Sequence, residues 1–232
     1  IRDRFTVEDY LERTLDLGVV GGAVVSGSFQ AFDQSYLEAA LARLGPSFVG
    51  VTQLPEQTSE REILRLDALG VRALRLNLRR GVYADAGSMV RLARRAFDTA
   101  GWHAELYLDS TDLPALAGLL KGLPRMCVDH LGLSRRGLPH LLRLVERGAW
   151  VKATGFGRLD FPPAEALSAI ARVAPEALLF GTDLPCTRAP RPFAATDIQM
   201  IEDALAEETL IRKVLRENAV RLYRRASLAP ER

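Results

Sequence analysis

The chain has 232 residues, 48% of them hydrophobic, enough to bury a substantial core. Its 31 Lys and Arg against 29 Asp and Glu leave a formal charge of +2, which argues against broad binding to nucleic acid or an anionic membrane but permits a local basic pocket. No apolar run approaches the roughly 20 residues needed to cross a bilayer, and no signal-peptide core follows Ile1-Arg2-Asp3-Arg4-Phe5.

Thr6 and Asp9 form a capping box that opens a helix running to about Gly18. A strand is predicted over Gly22 to Ser26, then a helix from Asp33 to Leu44 stopped by Gly45-Pro46. Phe48 to Leu54 reads as a strand and Ser59 to Leu69 as a helix stopped by Gly70. Ala73 to Leu78 and Ala86 to Ala100 form the next strand and helix. Trp102 to Asp109 is a strand, with Ser110 or Thr111 capping a helix towards Lys121. The same unit recurs as strand Arg125 to His130 with helix Leu138 to Arg147, and as strand Trp150 to Thr154 with helix Ala164 to Val173. Ala177 to Asp183 is the last strand, and helices near Thr196 to Ala206 and Glu208 to Arg224 close the chain.

This alternation predicts βαβ units and a parallel sheet, read as one domain over residues 1–232. Apolar strands that each end in a polar residue suit a closed (β/α)8 barrel of TIM type, an α/β fold whose active site lies at the C-terminal strand ends. An open doubly wound sheet is the alternative, although no strand–helix junction carries the Gly-x-Gly-x-x-Gly cofactor fingerprint. Only seven strands are predicted, and the first helix has none before it. A closed barrel would therefore place its first strand upstream of Ile1, since an unpaired seam exposes two strand edges.

The predicted strand ends deliver Ser26, Ser28, Gln53, Arg75, Asn77, Arg79, Arg80, Tyr107, Asp109, Asp129, His130, Lys152, Thr154 and Asp183, with Arg158 just beyond. Arg75, Asn77 and Arg79 share one strand face. Guanidiniums turned into a cavity need an anion, either a bound carboxylate or phosphate or a barrel carboxylate such as Glu105 or Asp109. Arg158 follows the flexible Gly155-Phe156-Gly157 and reads as an arginine lowered over the pocket or as solvated surface. His130 stands where a strand gives way to a loop, a functional position; His103 and His140 read as structural. With three histidines and no His-x-His, a complete metal site is hard to assemble. Gly181 and Pro185 bracket Asp183 at a sharp strand exit, where apolar walls would raise its basicity towards that of a general base. Cys127 and Cys186 are too few for a disulfide framework and read as reduced thiols.

Val128-Asp129-His130-Leu131-Gly132, Val151-Lys152-Ala153-Thr154-Gly155 and Gly181-Thr182-Asp183-Leu184-Pro185 occur in the order and spacing of the amidohydrolase-2 group of the amidohydrolase superfamily. Gly70-Val71-Arg72-Ala73-Leu74-Arg75-Leu76-Asn77 and Glu217-Asn218-Ala219-Val220-Arg221-Leu222-Tyr223 match as well. Within that group the chain resembles the 2-pyrone-4,6-dicarboxylate lactonase branch over nearly its whole length. The resemblance implies a lactonase that needs no metal or other cofactor. Asp183 would take a proton from the attacking water, and His130 would polarise the lactone carbonyl. Arg75, Arg80 and Arg158 would clamp substrate carboxylates, with Arg79 competing for the role of Arg80, and Ser28 and Tyr107 would add hydrogen bonds. Family members begin with a strand bearing Asp-x-His-x-His, which this sequence does not contain.

The expected function is hydrolysis of a carboxylate-bearing lactone or cyclic ester by a cytoplasmic enzyme. Its partner would be a small anionic substrate rather than nucleic acid or membrane, and homo-oligomerisation is left open. One alternative is a zinc-dependent hydrolase or decarboxylase of the same superfamily, with His130 and Asp183 among its ligands. The other is a non-catalytic carboxylate-binding barrel.

Overall fold

The computed structural model describes residues 5–79 and 85–224. Seven strands run β1 (Gly22–Val25), β2 (Phe48–Thr52), β3 (Val71–Asn77), β4 (His103–Tyr107), β5 (Met126–Val128), β6 (Trp150–Ala153) and β7 (Leu178–Phe180). All pair in parallel and in strict chain order, so the sheet curls as a stretch of a (β/α)8-type barrel. A doubly wound sheet would reverse its strand order part-way across, and this one never does. Among the described residues no strand pairs with the free edges of β1 and β7.

The helices are α1 (Val7–Arg13), α2 (Ser35–Leu44), α3 (Glu60–Ala68), α4 (Ala86–Ala100), α5 (Ala117–Gly122), α6 (Leu138–Glu146), α7 (Pro163–Val173), α8 (Thr196–Leu205), α9 (Glu208–Arg212) and α10 (Asn218–Tyr223). Their ends follow local chemistry. The Thr6–Asp9 capping box opens α1. Asp85 accepts from the Ser88 amide at the start of α4, and Gly101 ends that helix in the left-handed conformation. Met89, Leu92, Ala93, Ala96 and Ala100 form the buried stripe of α4 at helical spacing. Two helical expectations are corrected. The segment after Ser110 is a short 3-10 turn, and α-helix begins only at Ala117. The closing helix is interrupted by a π-helical turn over Lys213–Glu217.

Strand parity divides the interior into two environments. Leu74, Leu76, Ala104, Leu106, Val128, Val151, Ala153 and Leu178 face the helices and form the main core with residues such as Ile63, Leu92, Leu141 and Ile170. Truncating one of the leucines or isoleucines among them to alanine costs about 2–5 kcal/mol. The opposite, concave face carries His103, Glu105, Cys127, Lys152 and Leu179. There Leu222 of α10 packs on Cys127 and Leu179, with Trp150, Ala219 and Tyr223 around them. The register sets Arg75 beside Glu105 and Glu105 beside Cys127, so polar residues of successive strands form a row.

Candidate active site

Asp183 does not end β7, as expected, but lies three residues beyond Phe180 with φ 57°. His130 lies two residues beyond β5 with φ 52°. A non-glycine residue held in the left-handed region costs about 1–3 kcal/mol and persists only where its surroundings over-determine it. Both backbones turn sharply at the C-terminal strand ends, and the turn brings the two side chains together.

Asp183 is flanked by two groups. Arg158 Nε donates to Oδ2 at 2.7 Å, and His130 Nε2 stands 3.9 Å from Oδ1. Arg158 is itself anchored, its Nη2 donating to the Thr187 carbonyl at 3.0 Å. The apolar walls expected around Asp183 are thus replaced by a guanidinium on one oxygen and an imidazole near the other. Thr154 Oγ1 lies 2.8 Å from His130 Nδ1. The Tyr107 ring meets the imidazole edge-on, 5.5 Å between centroids, and the Arg75 guanidinium lies 5.5 Å from the Tyr107 centroid. Gly155 makes this packing feasible. With φ 61°, it sits where a Cβ would come within 2.6 Å of His130 Nδ1.

Burial holds His130 below the ordinary imidazole value, against the opposite pull of Asp129 and Asp183. At neutral pH it is therefore a neutral ring, and its approach to Asp183 is a polar contact rather than an ion pair. A Thr154 hydroxyl that donates to Nδ1 leaves the ring proton on Nε2, on the side of Asp183.

Beneath these groups runs a buried chain of charge. Asp129 accepts from Arg75 Nη2 at 2.9 Å through Oδ2, while its Oδ1 lies 3.3 Å from Lys152 Nζ. Lys152 also donates to Glu105, which accepts from the Tyr223 hydroxyl and lies 3.3 Å from His103 Nε2. Burial is the largest influence on Glu105 and Asp129 and opposes their ionisation, but Lys152 and His103 together outweigh it at Glu105, and Lys152 and Arg75 together at Asp129, so both carboxyls stay below their usual range. Burial also disfavours the Lys152 ammonium, yet Glu105, with Tyr223 and Asp129 beside it, holds it well above the ordinary lysine value.

Arg75 therefore pairs with Asp129 rather than Glu105, and its Nη1 donates to the Ser26 carbonyl. The Arg79 side chain is 43% exposed and lies 3.7 Å from Asp109. Ser28, three residues beyond β1, opens a short 3-10 turn. Arg80 lies outside the described residues. His103 is enclosed with Glu105, and His140 on α6 lies 2.7 Å from Arg143 Nη2, so the three histidines share no site. Among the described residues no three His, Cys, Asp or Glu side chains are grouped as metal ligands. His130 and Asp183 supply two donors, and Arg158 holds one of the aspartate oxygens, so these residues do not fit a complete zinc set. A groove of about 620 Å³ between α5 and α6, reaching Arg125 and Met126 at the start of β5, is lined by His140 and Arg143 but not by Asp183, His130, Arg158 or Arg75.

The sequence places Asp129, Lys152 and Thr154 at strand ends without assigning them partners, and it marks Tyr223 only as the end of the closing motif. Strand parity was the available signal for the first two. The partners of Tyr223 depend on where the last helix docks.

A parallel α/β barrel with an aspartate, a neutral histidine and arginines at its C-terminal strand ends has the architecture of a barrel hydrolase. Residues 2–225 match the family model described as amidohydrolase, and the chain belongs to the amidohydrolase family. It is an enzyme of the hydrolase class. Two curated relatives are similar to it. The 2-pyrone-4,6-dicarboxylate hydrolase of Comamonas testosteroni is 23% identical over 89% of this chain and 77% of its own length. The D-galactarolactone isomerase of Agrobacterium fabrum is 26% identical over 77% of this chain and 66% of its own. A solved structure from Pseudomonas putida, described as a candidate 2-pyrone-4,6-dicarboxylic acid hydrolase, superposes with a TM-score of 0.82 at 28% identity, covering 93% of this chain and 86% of that one. No helix among the described residues is long and apolar enough to cross a membrane.

Proposed function

We propose that the enzyme hydrolyses a small lactone or cyclic ester bearing one or more carboxylates. The observation that carries this reading is the division of Asp183 between Arg158 on Oδ2 and the approach of His130 towards Oδ1. Asp183 takes a proton from water as the water oxygen bonds to the lactone carbonyl carbon. Neutral His130 donates towards the carbonyl oxygen as it gains negative charge. Collapse of the tetrahedral adduct breaks the ring C–O bond, and the proton on Asp183 passes to the departing oxygen. Arg75 and Arg158 receive the substrate carboxylates, with Tyr107 and Ser28 adding hydrogen bonds; Arg80 has the same assignment by resemblance. Both curated relatives are named for a carboxylate or a sugar lactone, which supports a lactone as the reacting group. No step is assigned to a metal.

The test is a panel of lactones with zero, one or two carboxylates, followed by ring opening, on wild type and Asp183→Asn. We expect turnover of carboxylate-bearing members only, and a loss of about 10²–10⁴ in kcat for the variant. Near-normal kcat in Asp183→Asn would sink the assignment. Metal analysis of the active protein tests the metal-independent form of the reading, since activity that tracks bound zinc would replace it with the zinc-dependent one.

A further inference from the structure

The interior of a (β/α)8 barrel is ordinarily filled by layers of apolar side chains. Here Glu105, Lys152, Asp129 and Arg75 occupy it as an alternating series of charges, with side chains 0%, 9%, 2% and 12% exposed. Such a series is a poor device for stability, because apolar residues of similar volume often hold a fold equally well or better. What it supplies is orientation. The Arg75 end of the series reaches the group formed by Tyr107, His130 and Asp183 through the Tyr107 ring, and Asp129 directly precedes His130 in the chain.

The guanidinium of Arg75 is constrained from three directions. Asp129 Oδ2 takes Nη2 at 2.9 Å, the Ser26 carbonyl takes Nη1, and the Tyr107 ring lies 5.5 Å from its carbon. A planar fork binds a carboxylate through two bonds only in its own plane, so fixing the plane fixes where the ligand sits. Asp129 is held in turn: its second oxygen faces Lys152, which is anchored on Glu105, and Glu105 on Tyr223. The closing Glu217-to-Tyr223 motif thereby gains a purpose that the chemistry of Asp183 does not use. Asn218 ties that helix to the Pro175 and Leu178 carbonyls, and Tyr223 reaches the floor of the charge series.

We propose that Asp129 is a positioning residue that sets the plane of the Arg75 guanidinium for a substrate carboxylate, and that Lys152, Glu105 and Tyr223 form its brace. The inference rests on the carboxylate-binding role of Arg75 proposed above.

A double-mutant cycle tests it, using Asp129→Asn, which keeps the shape of the side chain, and Arg75→Ala. Two quantities are read: KM and kcat for the best carboxylate-bearing lactone, and calorimetric Kd for a non-hydrolysable aromatic dicarboxylate. Asp129→Asn should raise KM and Kd about 10–100-fold while kcat falls less, and should add almost nothing once Arg75 is alanine. A neutral lactone, where turned over, should show no change in KM. Additive effects of the two substitutions, or a fall in kcat with KM and Kd unmoved, would overturn the positioning role. Should Asp129→Asn fail to fold, Tyr223→Phe removes only one hydroxyl at the far end. It should raise Kd about 2–5-fold with kcat unchanged, the scale of one lost hydrogen bond, and an unaltered Kd would overturn the brace. Dicarboxylate binding without turnover would defeat the lactonase reading and leave the cycle in Kd to decide the positioning role. Absence of dicarboxylate binding to wild type would overturn both.

Discussion

Arg158 Nε and Asp183 Oδ2 lie 2.7 Å apart, so the aspartate assigned as the base is bonded to an arginine assigned to the substrate. The same guanidinium is anchored on the Thr187 carbonyl at 3.0 Å and has a side chain 14% exposed. One residue thus orients the aspartate and offers positive charge to a ligand. We expect Arg158→Ala to lower kcat and raise KM together, with a loss of about 10²–10³ in kcat/KM, and Arg158→Lys to restore only a small part. A variant that raises KM with unchanged kcat would show that Arg158 serves the ligand alone.

Gly155→Ala tests the packing behind His130. The new methyl would come within 2.6 Å of Nδ1 and 3.0 Å of the Arg158 Cδ, at a position with φ 61°. The ring cannot stay in place, the Arg158 stem must give by a few tenths of an ångström, and the backbone strain adds about 1–2 kcal/mol. The expected outcome is loss of at least about 10-fold in kcat, together with a lower melting temperature. Unchanged kinetics would mean that the placement of His130 is not critical.

Acid stability follows from the two enclosed histidines. Burial holds His103 and His130 below the ordinary value of 6.5. Above that value neither the folded nor the unfolded chain binds these protons, and stability is complete. As the pH falls below about 6.5 the unfolded imidazoles take up protons while the buried ones do not, so stability is lost at up to about 2.7 kcal/mol per pH unit for the pair. Thermal unfolding between pH 8 and 5 should show a plateau and then a fall, and His103→Gln should halve the slope. A melting temperature independent of pH over this range would contradict the enclosure of both rings.

Asn218→Ala should separate stability from catalysis. Asn218 Nδ2 donates to the Pro175 and Leu178 carbonyls at 2.9 and 2.8 Å, tying α10 to the turn before β7 and to the first residue of that strand. Leaving those carbonyls unpaired costs about 2–3 kcal/mol, or a fall of about 4–12 °C in melting temperature for a chain of this size. Measured below that temperature, kcat should be within about twofold of wild type, since the side chain lies away from Asp183 and His130. A large loss of kcat would show that the helix acts on the site directly.

Much of this protein was legible in its sequence because the relevant forces act over a few residues. Thr6 and Asp9, Asp85 and Gly101 mark helix ends, and apolar spacing marks α4, because capping and amphipathicity are properties of one or two turns. The strand alternation carried the parallel sheet, and the strand-end rule brought forward Asp183, His130, Arg75 and Arg158. Partner choice was a different matter. Whether Arg75 meets Glu105 or Asp129 depends on the register and curl that bring β3, β5 and β6 together, across 54 positions of chain. Whether Asp183 faces apolar walls or a guanidinium depends on how the turn after β6 folds back over β7. The docking of the last helix decides whether Tyr223 reaches Glu105, 118 positions away. Local sequence thus determined the elements and the identity of the polar strand ends. The tertiary structure alone decided which charge neutralises which, because desolvation and Coulomb attraction depend on distance in space rather than along the chain.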